Sequence, residues 1–250
     1  VIPDGNRRWA RQNGKSLEEG HWRGILKLKD LAEWCKEIGA EYLSIWIFST
    51  ENATRSREEV NTLFKLFRKA IDEIIKKGLP KDVRVRFSGR LDLFPEDLRE
   101  KMKEIERETE RNSGLNLIIL AGYGGRAEIV DAVNRVIEEA KKGKLEKVDE
   151  DLFRSFLYLP DVPDPDLIIR TSEHRLSGLY PWQSVYSEIY FVEKLWPDFE
   201  KEDFISVIDD FNKKIAICVP SGNFGNLTAG ILSKKMGLPV YKYVAATNCN

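Results

Sequence analysis

The sequence predicts an α/β domain built on a single, mostly parallel sheet with helices on both faces. Three observations carry that expectation. Short β-prone apolar runs at 42–48, 83–87 and 115–120 alternate with longer stretches whose apolar residues recur at helical spacing. Glycine or proline stands at most of the junctions between them. The chain has 250 residues, enough to bury one substantial core.

The first ten residues, Val1 to Ala10, set the frame. Val1-Ile2-Pro3 reads as the end of a strand, Asp4 as its C-terminal lip, Gly5 as a sharp turn, Asn6 as a helix cap and Arg7-Arg8-Trp9-Ala10-Arg11 as the helix opening. Strand, turn and helix N-terminus together attract anions, because backbone N–H groups and the positive end of the helix dipole converge there. Two arginines add fixed charge. A carboxylate among groups suited to phosphate makes sense if a divalent, oxygen-ligated cation such as Mg²⁺ lies between them. The same residues also suit an ordinary helix start with surface arginines, and this stretch by itself does not choose. Because Val1 falls in mid-strand, a short preceding piece is expected to be missing from the sequence.

Ser16 and Glu19 have capping-box spacing, and Leu28, Leu31, Ala32, Cys35 and Ile38 mark an amphipathic helix that Gly39 stops. Tyr42 to Phe48 is nearly all apolar, as a strand covered on both faces should be, and ends in Ser49-Thr50-Glu51-Asn52. Ser56 and Glu59 form a second capping box before a long helix that shows Val60, Leu63, Phe64, Phe67, Ile71, Ile74 and Ile75 on one face. Val83, Val85 and Phe87 alternate as a strand, and Pro95 opens a helix with Leu98, Met102 and Ile105 inward. Leu115 to Leu120 is a further buried strand. It runs into Gly122-Tyr123-Gly124-Gly125-Arg126, which lacks dinucleotide or Walker spacing and suits tight strand-to-helix packing better than phosphate binding. Helices follow at about 127–142 and near 152–157, then strands at 167–169 and 189–192 and a helix at about 203–212.

Charge and composition narrow the function. Forty basic against forty-one acidic residues leave a net charge of −1, against binding nucleic acid through bulk charge. The three cysteines, Cys35, Cys218 and Cys249, form neither a disulfide framework nor a zinc pattern, so a reducing, cytoplasmic setting is expected. Two histidines, His21 and His174, exclude a His-rich metal centre, and no Ser-His-Asp set is present. No apolar run approaches the ~18 residues of a membrane span. Three strand ends instead carry Asp4 with Arg7 and Arg8, Ser49 with Asn52 and Arg55, and Arg170 with Arg175 and Ser177. Brought together by a sheet, they would make a pocket for polyphosphate.

Five motifs then fall in register. Asp4-Gly5-Asn6-Arg7-Arg8-Trp9-Ala10, Gly20-His21, Phe48-Ser49-Thr50-Glu51-Asn52 with Arg55 and Glu59, Tyr123-Gly124-Gly125-Arg126, and the stretch from Asp166 to Glu188 resemble the cis-prenyltransferases over about residues 1–213. The resemblance implies a six-stranded parallel core, a homodimer, Mg²⁺, and addition of isopentenyl diphosphate to an allylic prenyl diphosphate with Z geometry. It makes Asp4 the metal-handling carboxylate, with Glu188 assisting the metal across the dimer. Gly5, Asn6, Arg7, Arg8, Trp9, His21 and Arg55 fall at allylic-site positions, and Arg170, Arg175 and Ser177 at the isopentenyl diphosphate site. Ser49 and Asn52 fall where proton handling or substrate placement is assigned. The apolar helix faces at 28–38 and 60–75 would line a tunnel for the product, whose lipid character would be the only route to peripheral membrane contact.

The chain also departs from that pattern. Leu17 and Ala53 stand where an arginine and an aromatic are usual, Tyr180-Pro181 replaces two leucine-like residues, and Ser172-Glu173 lacks an intervening glycine, leaving the loop to Arg175 one residue short. A phosphate clamp displaced by angstroms would lose activity. Residues 215–250 lack the family's arginine-rich tail. Ile215 to Pro220, Ser221-Gly222-Asn223-Phe224-Gly225-Asn226, a helix at 227–236 and a strand at 240–245 read as a compact βαβ piece similar to the pyridoxal-phosphate-binding part of threonine synthase, so 214–250 is expected to be an appended, chimeric segment. Alternatives to the Mg²⁺-dependent enzyme are therefore a catalytically impaired dimerisation partner and a pyridoxal-phosphate-binding fragment.

Overall fold

The computed structural model describes residues 1–77, 82–212, 215–220 and 240–246. They form two compact units, Val1–Lys201 and Glu202–Asn250.

In the first unit, β1 (Tyr42–Ser49), β3 (Leu115–Tyr123) and β2 (Val83–Ser88) form a parallel sheet with β3 in the middle. A second parallel pair joins β4 (Leu167–Thr171) to β5 (Glu188–Val192). The chain's first residues stitch the two sheets together. The Val1 carbonyl accepts from the Trp46 N–H at 3.1 Å, and the Ile2 N–H donates to the Ile169 carbonyl at 2.9 Å. The Thr171 N–H then donates to the Ile2 carbonyl at 3.3 Å, so that Ile2 bridges Arg170 in parallel. Five strands in two sheets thus replace the six-stranded sheet expected. The sixth is only a short bridge, because Pro3 has no N–H with which to continue a ladder.

The helices of this unit are α1 (Asn6–Gln12), α2 (Leu17–Glu37), α3 (Arg57–Lys77), α4 (Glu96–Thr109), α5 (Gly125–Lys141) and α6 (Glu150–Arg154). The capping box of Ser16 and Glu19 forms in both directions. That of Ser56 is half-formed: its hydroxyl accepts from the Glu59 N–H at 3.3 Å, but the Glu59 carboxylate turns to Arg55 and Arg7. Asn6 is not a cap as expected. Gly5 takes that place at φ 114°, a conformation that suits glycine, and a Cβ there would lie 3.0 Å from Leu195.

β1 is not covered evenly on both faces. Leu43, Ile45 and Phe48 are buried, whereas Tyr42 is exposed and Trp46 and Ile47 are half-buried. One side of the sheet packs a ring cluster of Phe48, Phe64, Phe67 and Phe94, with neighbouring centroids 5.2 to 6.3 Å apart. A second cluster gathers Ile2, Ile118, Leu120, Tyr123, Leu159, Ile168, Leu179 and Tyr180, drawing the two sheets into one core. The glycines after β3 serve close packing, as expected: a Cβ on Gly124 would lie 2.2 Å from the Thr50 hydroxyl, and one on Gly125 2.2 Å from the Gly178 carbonyl.

In the second unit, α7 (Lys201–Phe211) precedes β6 (Ile215–Pro220) and β7 (Val240–Ala246), which pair in parallel as the sequence suggests. The expected turn at 221–226 and helix at 227–236 lie outside the described residues. Among those described, no helix is long and apolar enough to cross a membrane.

Phe48 is 1 % exposed and touches three other rings, so Phe48→Ala should destabilise the fold by about 3–5 kcal/mol, read as a lower urea midpoint with unchanged slope.

Candidate active site

A cavity of about 910 Å³ opens at the C-terminal ends of the strands. It is lined from the segment after the Val1–Ile2 bridge by Asp4, Gly5, Asn6, Arg7, Arg8 and Arg11, and from the end of β1 by Ser49, Glu51, Asn52 and Arg55. Arg170, Glu173, Ser177 and Gly178 line it from β4 and its following loop, and Gly125 and Arg126 from the start of α5. Its inner part is apolar, with Ile25, Leu28, Trp46, Ile47, Phe48, Leu63 and Phe67.

The centre of the polar mouth is Asp4 facing Arg170. Thr171 fixes the main chain of Asp4 twice, its hydroxyl accepting from the Asp4 N–H at 2.9 Å and donating to the Asp4 carbonyl at 2.7 Å. Arg170 Nη2 then donates to Asp4 Oδ2 at 2.9 Å, while Nη1 donates to the Ser177 hydroxyl at 2.7 Å and to the Arg175 carbonyl. Arg170 is 4 % exposed, and its Nε finds no partner among the described residues. Arg8 crosses from α1 to donate to the Ser172 hydroxyl at 2.7 Å and to Glu173 at 3.3 Å. Ser172 sits at φ 64°, a left-handed conformation uncommon for a residue other than glycine, at the point where the expected intervening glycine is missing.

On the opposite wall Glu59 receives Arg55 at 2.9 Å and Arg7 at 3.4 Å. His21 lies beside them. Its Nε2 is buried without a partner among the described residues, and burial, reinforced by the charge of Arg55, holds its imidazole down at about 4, with Glu59 acting in the opposite sense. Ser49 and Asn52 lock one another: the Ser49 N–H donates to Asn52 Oδ1 and the Asn52 N–H to Ser49 Oγ, both at 3.1 Å. The Ser49 hydroxyl accepts there, so its proton remains available to another group.

Most of the residues singled out from the sequence therefore meet in one place. Three do not line the cavity. Trp9 is buried in the core, its indole N–H donating to Asp198 at 2.8 Å, and anchors α1. Arg175 turns outward and pairs with Glu173, its side chain 69 % exposed. Glu188 begins β5 opposite Leu167, three residues before Arg170 in the register and so about 10 Å toward the other end of the strands. The sequence reading missed Arg11, Glu51, Arg126 and Glu173 as lining residues. Glu51, Arg126 and Glu173 lie inside the five motifs, and their charge is the available signal. Of the helix faces read as tunnel walls, Leu28, Leu63 and Phe67 reach the cavity, while Leu31 and Cys35 are packed in the core.

A divalent cation fits this donor set. Asp4 Oδ2 is held by Arg170 and Arg8, but Oδ1 has no partner among the described residues. No cluster of three or more His, Cys, Asp or Glu occurs there either. A hard ion at Asp4 would thus complete its shell from phosphate oxygens and water, the usual manner of Mg²⁺.

Because folded His21 resists the proton that the unfolded chain accepts near pH 6.5, stability should fall as pH drops from 6.5 to about 4. His21→Gln should flatten that part of the profile in urea unfolding between pH 7 and 4.

A family model described as putative undecaprenyl diphosphate synthase matches residues 2–216. An isoprenyl transferase of Thermotoga maritima is 46 % identical over 215 residues, 86 % of this chain and 92 % of the relative. A tritrans,polycis-undecaprenyl-diphosphate synthase (geranylgeranyl-diphosphate specific) of Pyrococcus horikoshii is 43 % identical over 219 residues, 86 % of this chain and 83 % of that one. Among solved structures, lavandulyl diphosphate synthase of Lavandula x intermedia in complex with dimethylallyl diphosphate superimposes with a TM-score of 0.79 at 30 % identity, covering 84 % of this chain and 92 % of the other. With a polar mouth of arginines above an apolar cavity and matches of this extent, the chain belongs to the undecaprenyl diphosphate synthase family of cis-prenyltransferases.

Proposed function

We propose that this cavity binds an allylic prenyl diphosphate beside isopentenyl diphosphate and, with Mg²⁺, joins them into a Z-polyprenyl diphosphate. The observation that carries the reading is the convergence of Arg7, Arg8, Arg55 and Arg170 from separate segments on the mouth of one cavity whose interior is apolar. Gly5, Asn6, Arg7, Arg8, His21 and Arg55 hold the allylic diphosphate, and Arg170 and Ser177 hold the isopentenyl one.

Condensation breaks the allylic C–O bond and forms a C–C bond to the isopentenyl double bond, after which a proton leaves carbon. Arginines that grip the departing diphosphate stabilise the charge that develops on it. They rest on Glu59, Asp4 and Glu173 in the free protein and exchange these carboxylates for phosphate oxygens on binding. Neutral His21 donates or accepts a hydrogen bond without adding charge. When bound at Asp4, Mg²⁺ supplies further charge neutralisation for the leaving group. Ile25, Leu28, Leu63 and Phe67 keep water from the cationic carbon and receive the lengthening chain. Ser49, oriented by Asn52, stands at the wall where the proton is handled.

Glu188 enters this reading only through a second copy of the chain. β5 carries Ile189 at 40 % and Phe191 at 39 % exposure, and Tyr186 just before it is 94 % exposed, an apolar edge suited to a homodimer. Glu188 lies on that edge and would serve its partner's metal site.

Incorporation of radiolabelled isopentenyl diphosphate into dimethylallyl, farnesyl or geranylgeranyl diphosphate should require Mg²⁺ and vanish with EDTA. Asp4→Asn should lower kcat by about 10²–10³ with a smaller loss of melting temperature than Asp4→Ala, which leaves buried Arg170 without its carboxylate. No elongated product from any primer would overturn the reading in favour of a non-enzymatic dimerisation partner.

A further inference from the structure

Six arginines line the cavity: Arg7, Arg8, Arg11, Arg55, Arg126 and Arg170. Four rest on carboxylates, Arg7 and Arg55 on Glu59, Arg8 and Arg170 on Asp4 and Glu173. Arg11 and Arg126 have no carboxylate partner among the described residues. For Arg11 this is unremarkable, since it lies in the last turn of α1, where a cation suits the helix dipole. Arg126 lies in the first turn of α5, where the dipole opposes it. The acid of that turn, Glu128, is 1 % exposed and already accepts from the Tyr123 hydroxyl at 2.6 Å, the Tyr158 N–H at 3.0 Å and the Gln183 amide at 3.3 Å. Arg126 is exposed, so water solvates it in the free protein, and its guanidinium at the cavity mouth, with no carboxylate to release, is available to an anion that enters.

The backbone beneath Arg126 says which anion. Gly125 donates its N–H to the Gly178 carbonyl at 3.1 Å, and neither Gly124 nor Gly125 has room for a Cβ. Arg126 is thereby clamped next to the Ser177–Gly178 turn. Ser177 is the residue that accepts from Arg170, whose buried Nε is left without a partner among the described residues. In this half of the cavity the exposed Arg175 side chain pairs with Glu173, the carboxylate that also receives Arg8 and Arg170.

We infer that Arg126 binds the diphosphate of isopentenyl diphosphate, adding a guanidinium to the Arg170–Ser177 half of the site. The inference rests on the proposed condensation for its substrate but on the cavity alone for its anion. Arg126→Gln and Arg126→Lys are compared with wild type in steady-state kinetics with each substrate varied in turn, and in calorimetric titration with isopentenyl diphosphate alone, which does not turn over without an allylic partner. Arg126→Gln should raise KM for isopentenyl diphosphate about tenfold or more, weaken its binding to match, and leave the allylic KM within about twofold. Arg126→Lys should recover part of the loss. Unchanged isopentenyl diphosphate binding in Arg126→Gln, or a loss confined to the allylic substrate, overturns the inference. If wild type makes no product, the condensation reading fails, and the calorimetric comparison still decides Arg126.

Discussion

Asp4 and Arg170 are 166 residues apart in sequence, and their 2.9 Å contact exists only because the chain's first two residues zip between β1 and β4. Those few backbone hydrogen bonds do the work of a central strand. They fix the height of Asp4 at the lip of the sheet, and Thr171 locks its peptide from both sides. Everything at the mouth is placed relative to that junction: α1 starts from it, Arg8 reaches back over it to Ser172, and the loop carrying Ser177 folds against it. A segment so short is held firmly because Ile2 is buried in the cluster that unites the two sheets.

The mouth stores its positive charge on internal carboxylates. Arg170 is almost fully buried, and a guanidinium removed from water needs its donors paired. Asp4 and Ser177 provide that pairing in the free protein. Exposed pairs such as Arg8 with Glu173 contribute little net stability. Their release to an incoming dianion therefore costs little, while the backbone that aims them stays in place. Arginine–carboxylate pairs at a cavity mouth are thus both the resting state of the fold and a preorganised anion cradle.

Behind the mouth, the same strand that supplies Ser49 leaves Trp46 and Ile47 half-buried, so β1 is open to the cavity along one side. α2 and α3 close over it with Ile25, Leu28, Leu63 and Phe67. Polar and apolar ends are continuous within one cavity, the shape demanded by a molecule with a charged head and a hydrocarbon tail. On the proposed condensation, this continuity places the breaking bond at the border between the two.

The order of strands and helices, the capping box at Ser16, the turn at Gly5 and the membership of the chain in its family were legible in sequence, because local patterning and spacing express them directly. Asp4, Arg7, Arg8, Ser49, Asn52, Arg55, Arg170 and Ser177 could be named in advance, since strand ends of a parallel sheet face one crevice. What the sequence could not decide was direction. Trp9 and Arg175 stand in the same motifs as cavity residues, yet one is buried with its indole on Asp198 and the other stays exposed, paired with Glu173. Arg126 belonged to a glycine turn whose evident purpose was packing, and only the clamp of Gly125 against Gly178 brings it beside Ser177. Residue type and spacing determine which groups arrive at the crevice; the side on which each one faces is set by long-range contacts that no local window contains.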